Sequence, residues 1–159
     1  MAEFSGAPRG EGRRFAVVGS RFNQEITTRL VEGAMSCLVK HGAKLDDVDL
    51  LWVPGAWELP AAIERLLGSE RYDAIVAVGA VIRGETAHFD YVAGPCAAGV
   101  AQVGLDTGVP VVFGVLTTDT DQQALDRAGG CAGNKGEEAA QTAVEMVSLL
   151  RVLTNGGTD

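Results

Sequence analysis

Four short apolar runs are spaced along the chain, and between them apolar residues recur every three or four positions. The runs Phe15 to Gly19, Asp49 to Val53, Tyr72 to Val78 and Val109 to Val115 are too short for helices. They are rich in small and β-branched residues, as strands buried on both faces are. From about Gln24 to His41, Ile26, Leu30, Ala34, Leu38 and Val39 make a helical stripe that Gly42 stops. A second helix is predicted over Ala56 to Leu67, with Pro60 in its first turn, where proline is tolerated. Asp90 to Thr107 and Glu137 to about Leu153 read as long helices, and Gln122 to Ala128 as a short one. Thr117-Thr118-Asp119-Thr120 is a polar loop suited to capping that short helix, and Gly129 to Gly136 reads as a Gly-rich turn.

Strands alternating with helices, joined by right-handed crossovers, predict an α/β protein. The expected form is a three-layer αβα sandwich around a four-stranded parallel sheet. A flavodoxin-like start gives the strand order 2-1-3-4. The domain is expected over residues 15–154, with a flexible, polar, Gly-rich arm at 1–14 and a tail at 155–159.

In such a sheet all strand carboxyl ends point one way, and ligands bind there. Four loops are expected on that rim: Ser20 to Asn23, Gly55 to Glu58, Ala80 to His88, and Phe113 to Thr118. The third is the densest in chemistry. Within ten residues after the apolar run Ala74 to Val78 it carries Arg83, Gly84, Glu85, Thr86 and His88. A Thr opening a helix can cap it, and helix amides beside a Gly can hold an anion. His88 then falls in the first turn, beside whatever the loop holds, with a ring that can take up and release a proton. The other loops bring Phe22, Trp57 and Phe113, aromatics in a chain poor in them, and Glu58 at a helix start. A planar polar ring can stack on such an aromatic while Glu58 and backbone amides read its edges.

Composition narrows the classes. A chain of 159 residues is one domain by size, and 21 glycines suit tight strand–helix turns. The net charge of −8 argues against a nucleic-acid or anionic-membrane surface, while leaving room for a local phosphate pocket. Cys37, Cys96 and Cys131 are odd in number and far apart. They make neither a zinc spacing nor a CxxC pair, so a reducing, cytoplasmic setting and no metal are expected. No apolar run approaches a membrane span.

Each residue has a plainer reading. A lone aromatic is commonly a satellite core residue, and a lone His a surface residue. His41, next to Gly42, suits a helix C-terminus, and Glu58 suits a helix N-terminus whatever it binds. Arg127 and Lys135 need no explanation as surface charges. The coincidence of aromatics and polar groups on one rim raises the site reading above these. Gly79 to Thr86 fits G-x-x-x-x-G-x-T, but Glu85 stands where a P-loop needs Lys and would repel a triphosphate. No G-x-G-x-x-G follows the first strand, and neither a serine elbow nor a metal-ligand cluster occurs.

The run Val81-Ile82-Arg83-Gly84-Glu85-Thr86-Ala87-His88-Phe89-Asp90-Tyr91-Val92 resembles the signature of the lumazine synthase family. Arg21-Phe22-Asn23, Val53-Pro54-Gly55-Ala56-Trp57-Glu58-Leu59-Pro60, Phe113 to Thr118 and Ala132-Gly133-Asn134-Lys135-Gly136 resemble further family motifs in the same order. The likeness covers Phe15 to Leu153. It implies the penultimate step of riboflavin biosynthesis, in which 5-amino-6-(D-ribitylamino)uracil condenses with 3,4-dihydroxy-2-butanone 4-phosphate. The product is 6,7-dimethyl-8-ribityllumazine, with phosphate and water released. No redox change occurs, so the family implies no cofactor.

The resemblance also implies roles. Phe22 would stack on the pyrimidine. Ala56, Trp57 and Glu58 would bind the pyrimidine and ribityl chain, with Ala80, Val81 and Ile82 lining the ring. Gly84, Glu85 and Thr86 would hold the butanone phosphate, and His88 would transfer protons. Phe113, Arg127 and Lys135 would complete the pocket of a neighbouring subunit, Arg127 pairing with the phosphate. A homo-oligomer of pentamers follows, with a hollow icosahedral shell as the larger form expected and riboflavin synthase as a candidate partner. Trp57 and Cys131 depart from the family pattern, Cys131 standing where shell-forming relatives often carry Lys. The competing reading is a non-catalytic flavin-binding or cargo-shell protein of the same fold.

Overall fold

The computed structural model describes residues 1–156, so the last three residues of the tail expected at 155–159 lie outside the described residues. Strands β1 (Phe15–Ser20), β2 (Val48–Val53), β3 (Ala74–Ile82) and β4 (Val111–Thr118) form one sheet. All pairings in it are parallel, and the order is β2-β1-β3-β4, the order read from the sequence. Helices α1 (Gln24–Lys40), α2 (Leu59–Leu67), α3 (His88–Thr107), α4 (Asp121–Asp126) and α5 (Lys135–Thr154) connect and cover it.

The unbroken apolar runs of β1 and β3 resolve into two faces, because successive side chains of a strand point opposite ways. Phe15 and Val17 of β1, with Val76 and Val78 of β3, pack under Leu30, Leu38, Ala140 and Val144 of α1 and α5. Ala16, Val18, Ile75 and Ala77 face the other way, against Leu59, Ile63, Cys96 and Val100 of α2 and α3. Two layers of helix therefore bury both faces, which makes the three-layer sandwich. The α1–α5 pair is close: a Cβ on Gly136 would fall on the Leu30 carbonyl, so only glycine fits there. In the N-terminal segment the Ala7 N–H donates to Ser148 Oγ of α5 at 3.0 Å, and the Gly10 N–H to the His41 carbonyl at 2.7 Å.

Three differences from the sequence reading matter. β3 and β4 run further than expected, to Ile82 and Thr118, which pair with each other. The Thr117-Thr118 pair is polar but β-branched, and it continues the ladder instead of leaving it. Phe113 is therefore not in a rim loop; it lies within the edge strand β4, paired with Ala77. The Gly-rich turn contains a small antiparallel ribbon, β5 (Ala128–Gly130) and β6 (Gly133–Asn134). Positive φ at Gly129 and Gly133 permits that hairpin, a feature no apolar periodicity announces. Finally, Ala56–Glu58 forms a single 3-10 turn ahead of α2, so that helix starts at Leu59.

At the opposite end of the sheet, Asp49 ties three strand starts together. Its carboxylate accepts the Tyr72 O–H at 2.6 Å and Arg14 Nη2 at 3.2 Å. The Tyr72 hydrogen bond, then those from Arg14, holds the Asp49 carboxyl below its ordinary range. A depressed carboxyl contributes stability above its unfolded pKa, near pH ~4, and loses it as pH falls through the folded value. Asp49→Asn should therefore melt modestly below the parent at neutral pH, since the carboxylate is partly solvated, and the gap should narrow as pH falls below the ordinary carboxylate range. Thermal melts across that range at one protein concentration check this; a gap independent of pH would assign Asp49 a merely steric role.

Candidate active site

The rim at the carboxyl ends of β1, β2 and β3 is assembled by backbone contacts that leave side chains free. The Arg21 and Phe22 N–H groups donate to the Val53 and Pro54 carbonyls at 2.8 and 3.0 Å. Asn23 adopts the left-handed conformation (φ 58°), and its Nδ2 donates to the Ala80 carbonyl at 3.0 Å. This stitching locks the loop and turns Phe22 outward. Phe22 is 70 % exposed and Trp57 59 %. Two large rings left in water on one rim are uncommon for a finished surface and suit a surface awaiting a ligand or partner.

They border a cleft of about 330 Å³ lined by Phe22, Gly55, Ala56, Trp57, Ala80, Val81, Ile82, Gly84, Thr86, His88, Phe89 and Val92. That volume lies at the low end of small-molecule sites. Most of the candidates from the first three loops meet here. Glu58 is not among the lining residues, but its Oε2 stands 3.2 Å from where a Cβ would sit on Gly55. Its carboxylate is thus at the cleft wall. Glu85 is exposed and is not among the lining residues. Thr86 stands just outside α3, and its Oγ1 accepts the His88 N–H at 3.4 Å; the N-cap position itself is Ala87. His88 is exposed in the first turn of a 20-residue helix. The helix N-terminus and the Gly84 to His88 amides give this end of the cleft a positive potential suited to an anion.

The remaining candidates lie elsewhere. Phe113, Arg127 and Lys135 line a second cleft, also about 330 Å³, along the free edge of β4 against α5, with Glu138, Ala139 and Thr142. Thr120 caps α4 by accepting the Gln123 N–H at 3.1 Å, which sets Arg127 at the end of that helix. There Arg127 Nη1 donates to the Gln123 carbonyl at 3.0 Å, and among the described residues it has no carboxylate partner. Asn134 caps α5 through the Gly136 and Glu137 N–H groups and donates to the Arg29 carbonyl at 3.0 Å, fixing the start of Lys135. Lys135 Nζ pairs with Glu138 at 2.6 Å.

The two clefts share no lining residue. The sequence grouping of all four loops on one rim is corrected to that extent: one set faces the tops of β1 to β3, the other the outer edge of β4. Residues missed by the sequence reading are Phe89 and Val92 in the first cleft and Glu138 and Thr142 in the second. Val92 stands four residues after His88 and three after Phe89, a helical spacing legible once α3 is known to start at His88.

The arrangement can stack a planar ring, receive an anion at a helix start and move a proton, with an unneutralised guanidinium held on a separate edge. Comparison with known proteins agrees with that chemistry. The family model for 6,7-dimethyl-8-ribityllumazine synthase matches residues 12–151. A 6,7-dimethyl-8-ribityllumazine synthase from Gemmatimonas aurantiaca is 62 % identical over 149 residues, covering 94 % of this chain and 91 % of that protein. A match that runs through β1 to α5 takes in both clefts, and the chain belongs to the 6,7-dimethyl-8-ribityllumazine synthase family.

Proposed function

We infer that the chain condenses 5-amino-6-(D-ribitylamino)uracil with 3,4-dihydroxy-2-butanone 4-phosphate to 6,7-dimethyl-8-ribityllumazine, as a transferase-type enzyme of riboflavin biosynthesis. The pyrimidine stacks on Phe22, with Ala80, Val81 and Ile82 under the ring and Ala56, Trp57 and Glu58 along the ribityl chain. The phosphate seats on Gly84, Glu85 and Thr86 at the start of α3. The uracil amine attacks the ketone carbon, and water leaves to give an imine. Phosphate then departs, and the second amine closes the ring with loss of water. His88 carries protons between these steps.

One observation bears most on how the site is completed. The cation needed for a phosphate, Arg127, is unneutralised but belongs to the second cleft, while Arg83 beside the first is engaged by Asp119 and Asp90. A complete site therefore takes the Phe22–His88 cleft of one copy and the Phe113–Arg127–Lys135 cleft of another. A cyclic head-to-tail arrangement satisfies every copy at once, and a pentamer is the unit proposed, built up further into a hollow icosahedral shell. Riboflavin synthase, which would consume the lumazine, is the proposed partner. A cytoplasmic setting is proposed from the thiols: Cys37, Cys96 and Cys131 are unpaired, and burial pushes the Cys96 thiol up to about 11. Among the described residues no helix is long and apolar enough to cross a membrane.

Lumazine formation from the two substrates, followed by absorbance, tests the activity. In the same assay Phe22→Ala should raise the KM for the ribitylaminouracil by about tenfold and leave that for the butanone phosphate nearly unchanged. Loss of ring stacking, worth roughly 0.5–1.5 kcal/mol beyond area, acts on one substrate only. Equal losses for both would make Phe22 structural. Bound flavin without turnover in the parent protein would favour the non-catalytic shell reading instead.

A further inference from the structure

Gly84 to Ala87 is a loop with little to hold it. All four residues are exposed, and their hydrogen bonds are all to the first turn of α3: Thr86 Oγ1 accepts the His88 N–H at 3.4 Å and the Ala87 carbonyl the Asp90 N–H at 3.1 Å. Yet this loop is to seat a phosphate and present His88, which requires fixed geometry. Arg83 stands at its root with four separate attachments. Its N–H donates to the Thr118 carbonyl at 2.8 Å, continuing the β3–β4 ladder by one residue. Its Nε donates to Asp119 Oδ1 at 2.9 Å, Nη1 lies 3.5 Å from Asp90 Oδ1, and the guanidinium stacks 4.2 Å over the Phe89 ring. Asp119 begins the β4–α4 segment, whereas Asp90 and Phe89 belong to the first turn of α3. The side chain thus pins the far end of the loop to its near end and to the neighbouring loop.

The clasp also stands between the two clefts. Ile82 lines the first, its ladder partner Thr118 lines the second, and Arg83 and Asp119 follow them directly. From Asp119 the contacts continue: its N–H donates to Gln123 Oε1 at 2.9 Å, and the Gln123 carbonyl accepts from Arg127 at 3.0 Å. One guanidinium therefore braces the loop of the first cleft and the helix that carries the cation of the second.

We propose that Arg83, with Asp119, is a positioning pair that holds the Gly84–Ala87 loop and His88 in register for the reaction. This rests on the functional reading above. The pair is not a stability device. Both side chains are well exposed, and exposed ion pairs contribute little to folding. What the planar fork of Arg83 supplies is direction: Nε, Nη1 and the ring face each have a different partner, which a lysine cannot reproduce.

The test compares Arg83→Ala, Asp119→Asn, Arg83→Lys and the double variant Arg83→Ala/Asp119→Asn in the full, assembled chain. Melting temperature and sedimentation are expected to stay near the parent's. The kcat/KM for the butanone phosphate should fall by on the order of tenfold to a hundredfold in Arg83→Ala, the scale of a displaced reacting group. The KM for the ribitylaminouracil should move little. Arg83→Lys should recover less than half of the loss, and the double variant should be no worse than Arg83→Ala, because Arg83→Ala already removes the contact that Asp119→Asn weakens. Parent-like kinetics in Arg83→Ala, or losses that multiply in the double variant, would overturn the proposal. A parent protein that makes no lumazine would instead overturn the functional reading.

Discussion

Arg127→Ala should raise the KM for the butanone phosphate by roughly 10- to 100-fold, the scale of a lost hydrogen bond to a charged group. His88→Ala, in contrast, should keep measurable turnover. An aromatic diamine and a hydroxyketone are reactive partners already, so most of the acceleration comes from holding them together. Arg127 is the residue proposed to do that holding: its guanidinium has no carboxylate partner among the described residues and lies at the end of a capped helix. The proton transfer proposed for His88 contributes about 10²-fold or more in general, but the side chain is exposed, so buffer or water can take its place. Steady-state kinetics with each substrate varied in turn decide the matter. A dead His88→Ala beside an unchanged Arg127→Ala would reverse the roles assigned.

The second large effect is on assembly. A dissociated monomer should make no lumazine, because the loop proposed to seat the phosphate and the cation proposed to pair with it lie at different clefts. Activity per chain should therefore collapse on dilution below the dissociation range and return on concentration. Sedimentation at moderate salt should find pentamers gathered into hollow particles visible by electron microscopy. Salt matters because a chain of net charge −8 repels its copies unless screened. In the proposed shell the compact Gly129–Gly136 ribbon is the contact between pentamers, although Cys131 there brings no positive charge. Discrete pentamers at every salt would remove the shell and leave the enzyme; an active monomer would remove the shared site.

The sheet was readable because buried parallel strands leave short apolar runs that nothing else in this chain imitates. Phe15 to Gly19 and Ala74 to Val78 fall wholly inside β1 and β3. Strand ends were less legible. Thr117 and Thr118 read as loop by polarity, yet they pair with Val81 and Ile82. The β5–β6 ribbon could not be foreseen, since Gly129 and Gly133 signal a turn without saying what the residues between them do. In the site, the Gly84 to His88 cluster declared itself by composition, because few structural needs gather those residue types. Phe113, Arg127 and Lys135 did not. Each is ordinary alone, and only the fold brings them to one edge, away from Phe22 and His88. Arg83 was read as one more polar residue of the loop; its role depends on Asp119, far along the chain and near only because β4 lies beside β3.

The central claim is that one active site is made by two copies of the chain, and mixing two crippled chains tests it most directly. One chain would carry Phe22→Ala with His88→Ala, the other Arg127→Ala with Lys135→Ala, each under a different affinity tag. Particles holding both are isolated by passage over both columns. At substrate concentrations below the parent KM values, where the KM effects are fully felt, each chain alone should run at no more than a few per cent of the parent rate. In an equal mixture, random neighbours join the two intact clefts at about one site in four, so lumazine formation should return to about a quarter of the parent rate per chain. Mixed particles no more active than the crippled chains alone would contradict the claim, because a site contained within one chain cannot be rescued by its neighbour.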